Sequence, residues 1–195
     1  MTAPTTEPLV PFDVTICGID ELPSHSGRGV THVLTLLDPG CPSPGALARL
    51  GPHQHLDLRF YDIIDRHPAL AAPEHEHVEQ LLAFGRGLAD TSSGHLLVHC
   101  HMGISRSSAA SFLVLAQARP DRTAGELLAE IVRIRPLAWP NLRLVELGDA
   151  VMARNGELIA ATVQRYRDLL KERPKLRGAM ARLGRARELA AADAV

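Results

Sequence analysis

His95-Leu-Leu-Val-His-Cys-His-Met-Gly-Ile-Ser-Arg-Ser-Ser108 is the stretch that decides how the rest of the chain is read. Its short apolar run, following Ser92-Ser-Gly94, suits a buried parallel strand. That run leads straight into Cys100, and a helical pattern opens at Arg106 and stops at Pro120. A short loop between a strand end and a helix N-terminus turns several backbone N–H groups into one concavity. The helix dipole adds positive potential at the same point. Gly103 lets the loop curl, and Arg106 can close the ring with a bidentate grip on two oxygens. Such a cradle, lined by His101, Met102, Gly103, Ile104, Ser105 and Arg106, suits a tetrahedral dianion.

Cys100 lies at the floor of this cradle. A free thiol has a pKa of about 8.5, and amide dipoles, a helix N-terminus and a guanidinium all lower it. A thiolate facing a bound phosphorus is a nucleophile placed for in-line attack. The Ser107 hydroxyl can hydrogen-bond the sulfur and help it leave in a second step. His99 is read as ordering the loop rather than reacting.

Outward from this segment, Phe12–Gly18 and His55–Phe60 alternate as strands do. Val30–Leu37 is rich in β-formers and ends at the turn signal Asp38-Pro-Gly40. Helical periodicity fills Pro73–Ala89, Arg106–Ala118, Asn141–Met152 and Gly156–Arg173. Thr123-Ala-Gly-Glu126 reads as a capping box opening a further helix through Ile134. Strands alternating with helices predict an α/β fold: a central, mostly parallel sheet of four to five strands flanked by helices, with an extra C-terminal helix. Residues 1–11, with three prolines and three threonines, read as a flexible lead-in. Residues 12–153 then form the catalytic domain. Residues 154–195 form a basic helical extension, with 10 basic and 5 acidic side chains. It is read as a helix packed on the domain, with an acidic partner or a membrane surface as the alternative.

The composition narrows the function. The chain of 195 residues is 46% apolar and 22% charged, enough to bury a core and too ordered in pattern for a disordered tail. A net charge of -1 argues against nucleic-acid binding. Cys17, Cys41 and Cys100 are too few and too scattered for a disulfide framework, and the odd count favours free thiols in a reducing compartment. The first basic residue is Arg28, which does not fit a secretory signal. The longest uncharged apolar stretch, Ala109–Ala118, is about half a membrane span. The expected location is cytoplasmic. Arg far outnumbers Lys, a bias associated with GC-rich bacterial genomes.

The pattern His99-Cys100-x-x-Gly103-x-Ser105-Arg106-Ser107 resembles the cysteine-dependent protein tyrosine phosphatase superfamily, and within it the dual-specificity-like branch. Gly29–Leu36 looks like that family's second strand region. Arg135-Pro136 followed by Pro140-Asn141 resembles its segment after the active-site helix. The resemblance spans roughly residues 12–152. It implies a phosphocysteine intermediate, no cofactor, and as substrate a phosphorylated protein or a small phosphomonoester. It also implies an upstream Asp as general acid. Asp62, continuing the alternation of Leu56, Leu58 and Phe60, is the first choice, and Asp65 is the rival. The loop has no Lys among His101 to Ser105, which weakens the case for phosphoinositides. Trp139, the only tryptophan, is read either as a wall of the cleft or as core.

Ten histidines include His53-x-His55, His75-x-His77 and His99-x-His101, but none of these pairs has a third ligand at a metal-site spacing, so no metal is expected. Cys41 is a candidate redox partner for Cys100, to be decided by distance. A rhodanese-like sulfurtransferase and a non-catalytic phospho-binding module are the competing functions. The first would need neither the Asp nor the Arg-Ser pair, and the second would be expected to lack one of the catalytic groups.

Overall fold

A computed structural model describes residues 9–89 and 94–194. Four strands form one sheet: β1 (Asp13–Gly18), β2 (His32–Leu37), β3 (Gln54–Arg59) and β4 (His95–Cys100), in the order β1-β4-β2-β3. Every pairing is parallel, with Gly18 opposite Cys100 and Thr35 opposite His99. The helices are α1 (His75–Ala89), α2 (Arg106–Ala118), α3 (Ala124–Ile134), α4 (Leu142–Val151), α5 (Glu157–Glu172), α6 (Leu176–Arg182) and α7 (Ala186–Asp193). The expected C-terminal helix is α5, and two short helices follow it.

The strand alternation sorts side chains onto two faces. Leu34, Leu36, Leu58, Leu96, Val98 and Cys100 join one large core with residues of α1 to α4. Cys17, Val33 and Leu97 point the other way, onto a smaller cluster with Leu22 and Leu47. Those two leucines belong to 3-10 turns, Ile19–His25 and Gly45–Arg49, that cover this second face in place of α-helices. Val10 and Phe12 are buried in the large core, so the lead-in is packed over its last described residues. Residues 1–8 lie outside the described residues.

Helix α2 is buried along nearly its whole length, which its run of Ala, Phe, Leu and Val permits. The capping box at Thr123 forms as its sequence predicts: Thr123 Oγ1 accepts from the Glu126 N–H, and Glu126 Oε2 accepts from the Thr123 N–H at 2.9 Å. Asn141 caps α4 in the same sense, its Oδ1 accepting from the Leu144 N–H at 3.0 Å.

Helices α2 and α4 meet so closely at Gly148 that an added Cβ would stand 2.3 Å from Leu113 Cδ2 and 2.9 Å from its Cγ. Leu113 is fully buried and has no free direction to move. Gly148→Ala should therefore lower stability by about 1–3 kcal/mol, seen as a lower midpoint in chemical denaturation with unchanged m-value.

Candidate active site

In a parallel sheet all strands end on the same side, and the groups of interest gather at that carboxyl edge. Cys100 is the last residue of β4. Asp38 follows β2, and Phe60 to Asp62 follow β3. The loop 101–105 links β4 to α2 along this edge.

The loop is fixed from several sides. The His101 carbonyl accepts from the Ile19 N–H at 3.1 Å, and the Met102 carbonyl accepts from Arg135 Nη2 at 2.8 Å. The Ile104 carbonyl accepts from the Trp139 N–H at 3.0 Å, and the Ser105 carbonyl from the Asn141 N–H at 3.3 Å. The carbonyls are thus turned outward into protein. Among the described residues, the N–H groups of Met102, Gly103, Ile104 and Ser105 donate to no backbone carbonyl. Gly103 has φ +69°, and a Cβ there would lie 2.5 Å from the Cys17 carbonyl carbon. The curl therefore needs glycine both for its dihedral and for its clearance from β1.

Cys100 is buried, and its Sγ lies 3.2 Å from Ser107 Oγ at the first turn of α2. Arg106 is almost wholly buried. Its Nη1 donates to Asp38 Oδ1 at 2.7 Å and to the Phe60 carbonyl at 2.6 Å. Its Nη2 donates to His101 Nδ1 at 2.7 Å, which places the His101 proton on Nε2. The Nε–H, also buried, has no partner among the described residues. Nε and the second Nη2 hydrogen are thus the uncommitted edge of the fork, the edge that makes side-on bidentate contacts with oxyanions. His101 is partly exposed and Met102 largely so, while Ile104 packs against the Trp139 cluster.

Asp62 stands beside the loop. Its Oδ1 accepts from Ser105 Oγ at 2.8 Å and from Asn141 Nδ2 at 2.7 Å, and its Oδ2 faces Arg185 Nη2 at 2.6 Å. Burial alone would raise its pKa. The charge and hydrogen bond of Arg185, with Arg106 and the Asn141 amide, outweigh burial and hold it below the usual carboxylate range. Asp65, the rival, is largely exposed and pairs with Arg187 Nε at 2.9 Å. Among the described residues its ion pair is with Arg187, not with a residue of the loop.

Behind Asp62 lies a buried polar network. Glu188 Oε2 accepts from Trp139 Nε1 at 2.6 Å, and Oε1 accepts from the Leu142 N–H at 3.0 Å and from the Tyr166 hydroxyl at 3.2 Å. Arg185 Nη1 is 3.6 Å from Glu188 Oε1. Trp139 stacks on Tyr166, ring centroids 4.3 Å apart, in a satellite core with Leu169 and Leu189. Of its two readings, Trp139 takes the core one.

His99 is buried, and burial together with His55 pushes its pKa down to about 4. Thr35 Oγ1 lies 2.7 Å from His99 Nε2 and 2.8 Å from His55 Nε2. One hydroxyl proton can serve only one ring, so the other ring donates to the oxygen and the tautomers are linked. His99 thus braces the strand end beneath the loop. Cys41 Sγ lies 3.8 Å from His101 Nε2, not paired with Cys100, and all three thiols are free. Among the described residues no group of three His, Cys, Asp or Glu side chains could hold a metal ion.

Sequence reading missed two partners of the site. Asp38 was a turn signal, although its place directly after β2, beside β4, would have marked it as an edge residue. Arg185 carries no local signal.

No protein-family model matches the sequence, and no relative was found among curated proteins. Comparison of coordinates does find counterparts. The crystal structure of human DUSP28 superposes with a TM-score of 0.55 at 17% identity, covering 75% of this chain and 97% of that one. Tk-PTP in its active form gives a TM-score of 0.55 at 20% identity, covering 78% and 99%. PTPMT1, solved in complex with PI(5)P, gives 0.53 at 17% identity, covering 76% and 97%. The fold is that of the dual-specificity phosphatases. At these identities the likeness is one of fold, and the chemistry has to be argued from the site.

Gly103→Ala should leave the chain folded but open the loop. Titration calorimetry with tungstate, a tetrahedral oxyanion, should show affinity reduced at least about tenfold, since one lost charge-assisted hydrogen bond is worth about 1.5–3 kcal/mol.

Proposed function

We propose that this chain is a cysteine-dependent phosphomonoester hydrolase, acting on a phosphorylated protein or a small phosphomonoester. The observation that carries the reading is the buried Arg106, which keeps its Nε–H uncommitted beside a loop of outward-turned carbonyls above Cys100. A buried guanidinium with a free donor edge calls for an anion.

The steps follow from the residues. The dianion enters the loop, and the amides and Arg106 hold its equatorial oxygens. Cys100 sulfur attacks phosphorus, the S–P bond forms and the P–O bond to the leaving group breaks. Asp62 gives that oxygen its proton. Water then attacks phosphorus, Asp62 takes up the water's proton, and the sulfur leaves as thiolate, stabilised by the Ser107 hydroxyl 3.2 Å away. Arg106 and the amides carry the charge through both steps. PTPMT1 is described with a phosphoinositide, whose extra phosphates call for extra cations. Here the residues between Cys100 and Arg106 include no Lys or Arg, which favours a substrate with a single phosphate.

Cys100→Ser should abolish hydrolysis of an aryl phosphate yet keep oxyanion binding. Turnover retained in that variant would remove Cys100 as nucleophile. Asp62→Asn should slow substrates with poor leaving groups about 100-fold while sparing those with good ones. The same loss in Asp65→Asn instead would move the acid to Asp65. EDTA should leave the rate unchanged.

A further inference from the structure

The acid proposed for this site is not held by the catalytic domain alone. The loop carrying it is clamped to the start of α7 by two arginines. Arg185, the residue before α7, pairs with Asp62 at 2.6 Å. Arg187 pairs with Asp65 at 2.9 Å, donates to the Ile64 carbonyl at 2.9 Å and also pairs with Glu146. Both arginines belong to the C-terminal extension. Arg185 is itself buried, and its cation is shared between Asp62 and the fully buried Glu188.

This arrangement commits both oxygens of Asp62. Oδ1 takes two donors, Ser105 and Asn141, and Oδ2 takes the guanidinium. The Asn141 amide and the Arg185 guanidinium can only donate, so both oxygens face a donor that the carboxylate satisfies, and the Ser105 hydroxyl is the one partner that can also accept an acid's proton. A general acid needs that proton in the first step, whereas a general base needs the bare carboxylate in the second.

Resting on the hydrolase reading above, we propose that Arg185 is a positioning residue through which the C-terminal extension holds Asp62 in its base-competent carboxylate form, and so sets the pH above which the first step fails. The charged and titratable groups around Asp62 are Arg185 before α7, Arg106 at the start of α2, Glu188 on α7 and Tyr166 on α5. Ser105 and Asn141 add neutral hydrogen bonds. Among the described residues Arg185 is the one cation in ion-pair contact with the carboxylate. Arg106 and Arg185 both favour the carboxylate, and a phosphate dianion bound at Arg106 adds negative charge that offsets Arg106 and leaves Arg185 as the cation opposing the proton on Asp62.

The test is the pH profile of kcat on an aryl phosphate with a poor leaving group. A general acid makes kcat fall as pH rises through its pKa in the complex. Removing the cation raises that pKa, so Arg185→Gln should move the alkaline limb upward by about one unit, about tenfold in rate on that limb. Arg185→Lys should keep the limb within a few tenths of a unit of the parent. Because Glu188 would be left buried without its cation, Arg185→Gln/Glu188→Gln is measured alongside, with thermal melting as the check of folding. An unmoved limb in whichever of the Gln variants is folded overturns the proposal, as does a limb that shifts equally in Arg185→Lys. A limb that persists in Asp62→Asn instead overturns Asp62 as the acid, while loss of all turnover in Cys100→Ser is unaffected by either result.

Discussion

A cation buried at the carboxyl edge of a parallel sheet is the constraint around which this molecule is arranged. Arg106 enters the interior as the first residue of α2, and a guanidinium cannot be left unpaired there without a cost of several kcal/mol. The chain meets that demand from three directions. Asp38 comes from the end of β2, the Phe60 carbonyl from the end of β3, and His101 from the loop itself. Each of these lies at the same edge because all four strands run the same way. The partners fill Nη1 and half of Nη2 and stop short of Nε. The fold therefore holds the fork from several sides while leaving its Nε edge uncommitted among the described residues, which is what the proposed oxyanion site requires.

The same edge is tight in volume. The loop passes so near β1 that Gly103 and Gly18 both face backbone: a Cβ on Gly103 would meet the Cys17 carbonyl carbon at 2.5 Å, and one on Gly18 the His101 oxygen at 2.9 Å. Two glycines from different elements thus stand where β1 and the loop touch. Backbone cannot rotate aside as a side chain can, so the curvature of the loop is set by steric exclusion as much as by hydrogen bonds. Cys17, buried on the opposite face, has its thiol pKa pushed up to about 12, chiefly by burial, and is chemically quiet. Cys17 and Cys100, on adjacent strands, thus belong to different clusters because alternate residues of adjacent parallel strands face opposite sides.

Much of this was legible because it is local. An apolar run ending in Cys100, a glycine in the loop and a serine-rich helix start all lie within one short window. The structure places them as strand, curl and helix in that order. The capping box at Thr123 was readable for the same reason, since a cap is a relation between a residue and its third neighbour. Asp62 was reachable by carrying the alternation of β3 past its end. Asp38 was hidden by its own context, because Asp-Pro-Gly reads as a turn and gives no sign that the Asp38 carboxylate accepts from Arg106. The 3-10 turns that cover the second face have no periodic signal long enough to read. Helices α6 and α7 are only 7 and 8 residues long and lack side-chain caps, with Gly184 at φ +74° between them.

The least legible part is the extension, and its charge explains why. Ten basic against five acidic side chains were read as a helix packed on the domain, with an acidic partner or a membrane surface as the alternative, and neither reading said which groups the arginines meet. In the folded chain many of those arginines turn inward. Arg165 donates to the Pro136 and Ala138 carbonyls, Arg167 to the Ala192 and Ala194 carbonyls, and Arg187 pairs with Asp65 and Glu146, while Arg177 pairs with Asp193 at the surface. Carbonyls carry no formal charge and are invisible to a count of acids and bases, so part of the extension's apparent basic surplus is taken up by backbone inside the molecule. The carbonyls of Pro136, Ala138 and Pro140 belong to the segment that also holds Asn141, and Arg165 and Tyr166 of α5 bind them. The extension therefore buttresses the backbone on which one of the Asp62 donors stands, as well as contacting Asp62 itself. Because Glu188 sits at 0% exposure among Trp139, Tyr166 and Arg185, removal of any one partner leaves a buried charge or dipole unmatched. The network behind the site is accordingly cooperative, and it ties the folding of the last helices to the geometry of the carboxylate at the cleft.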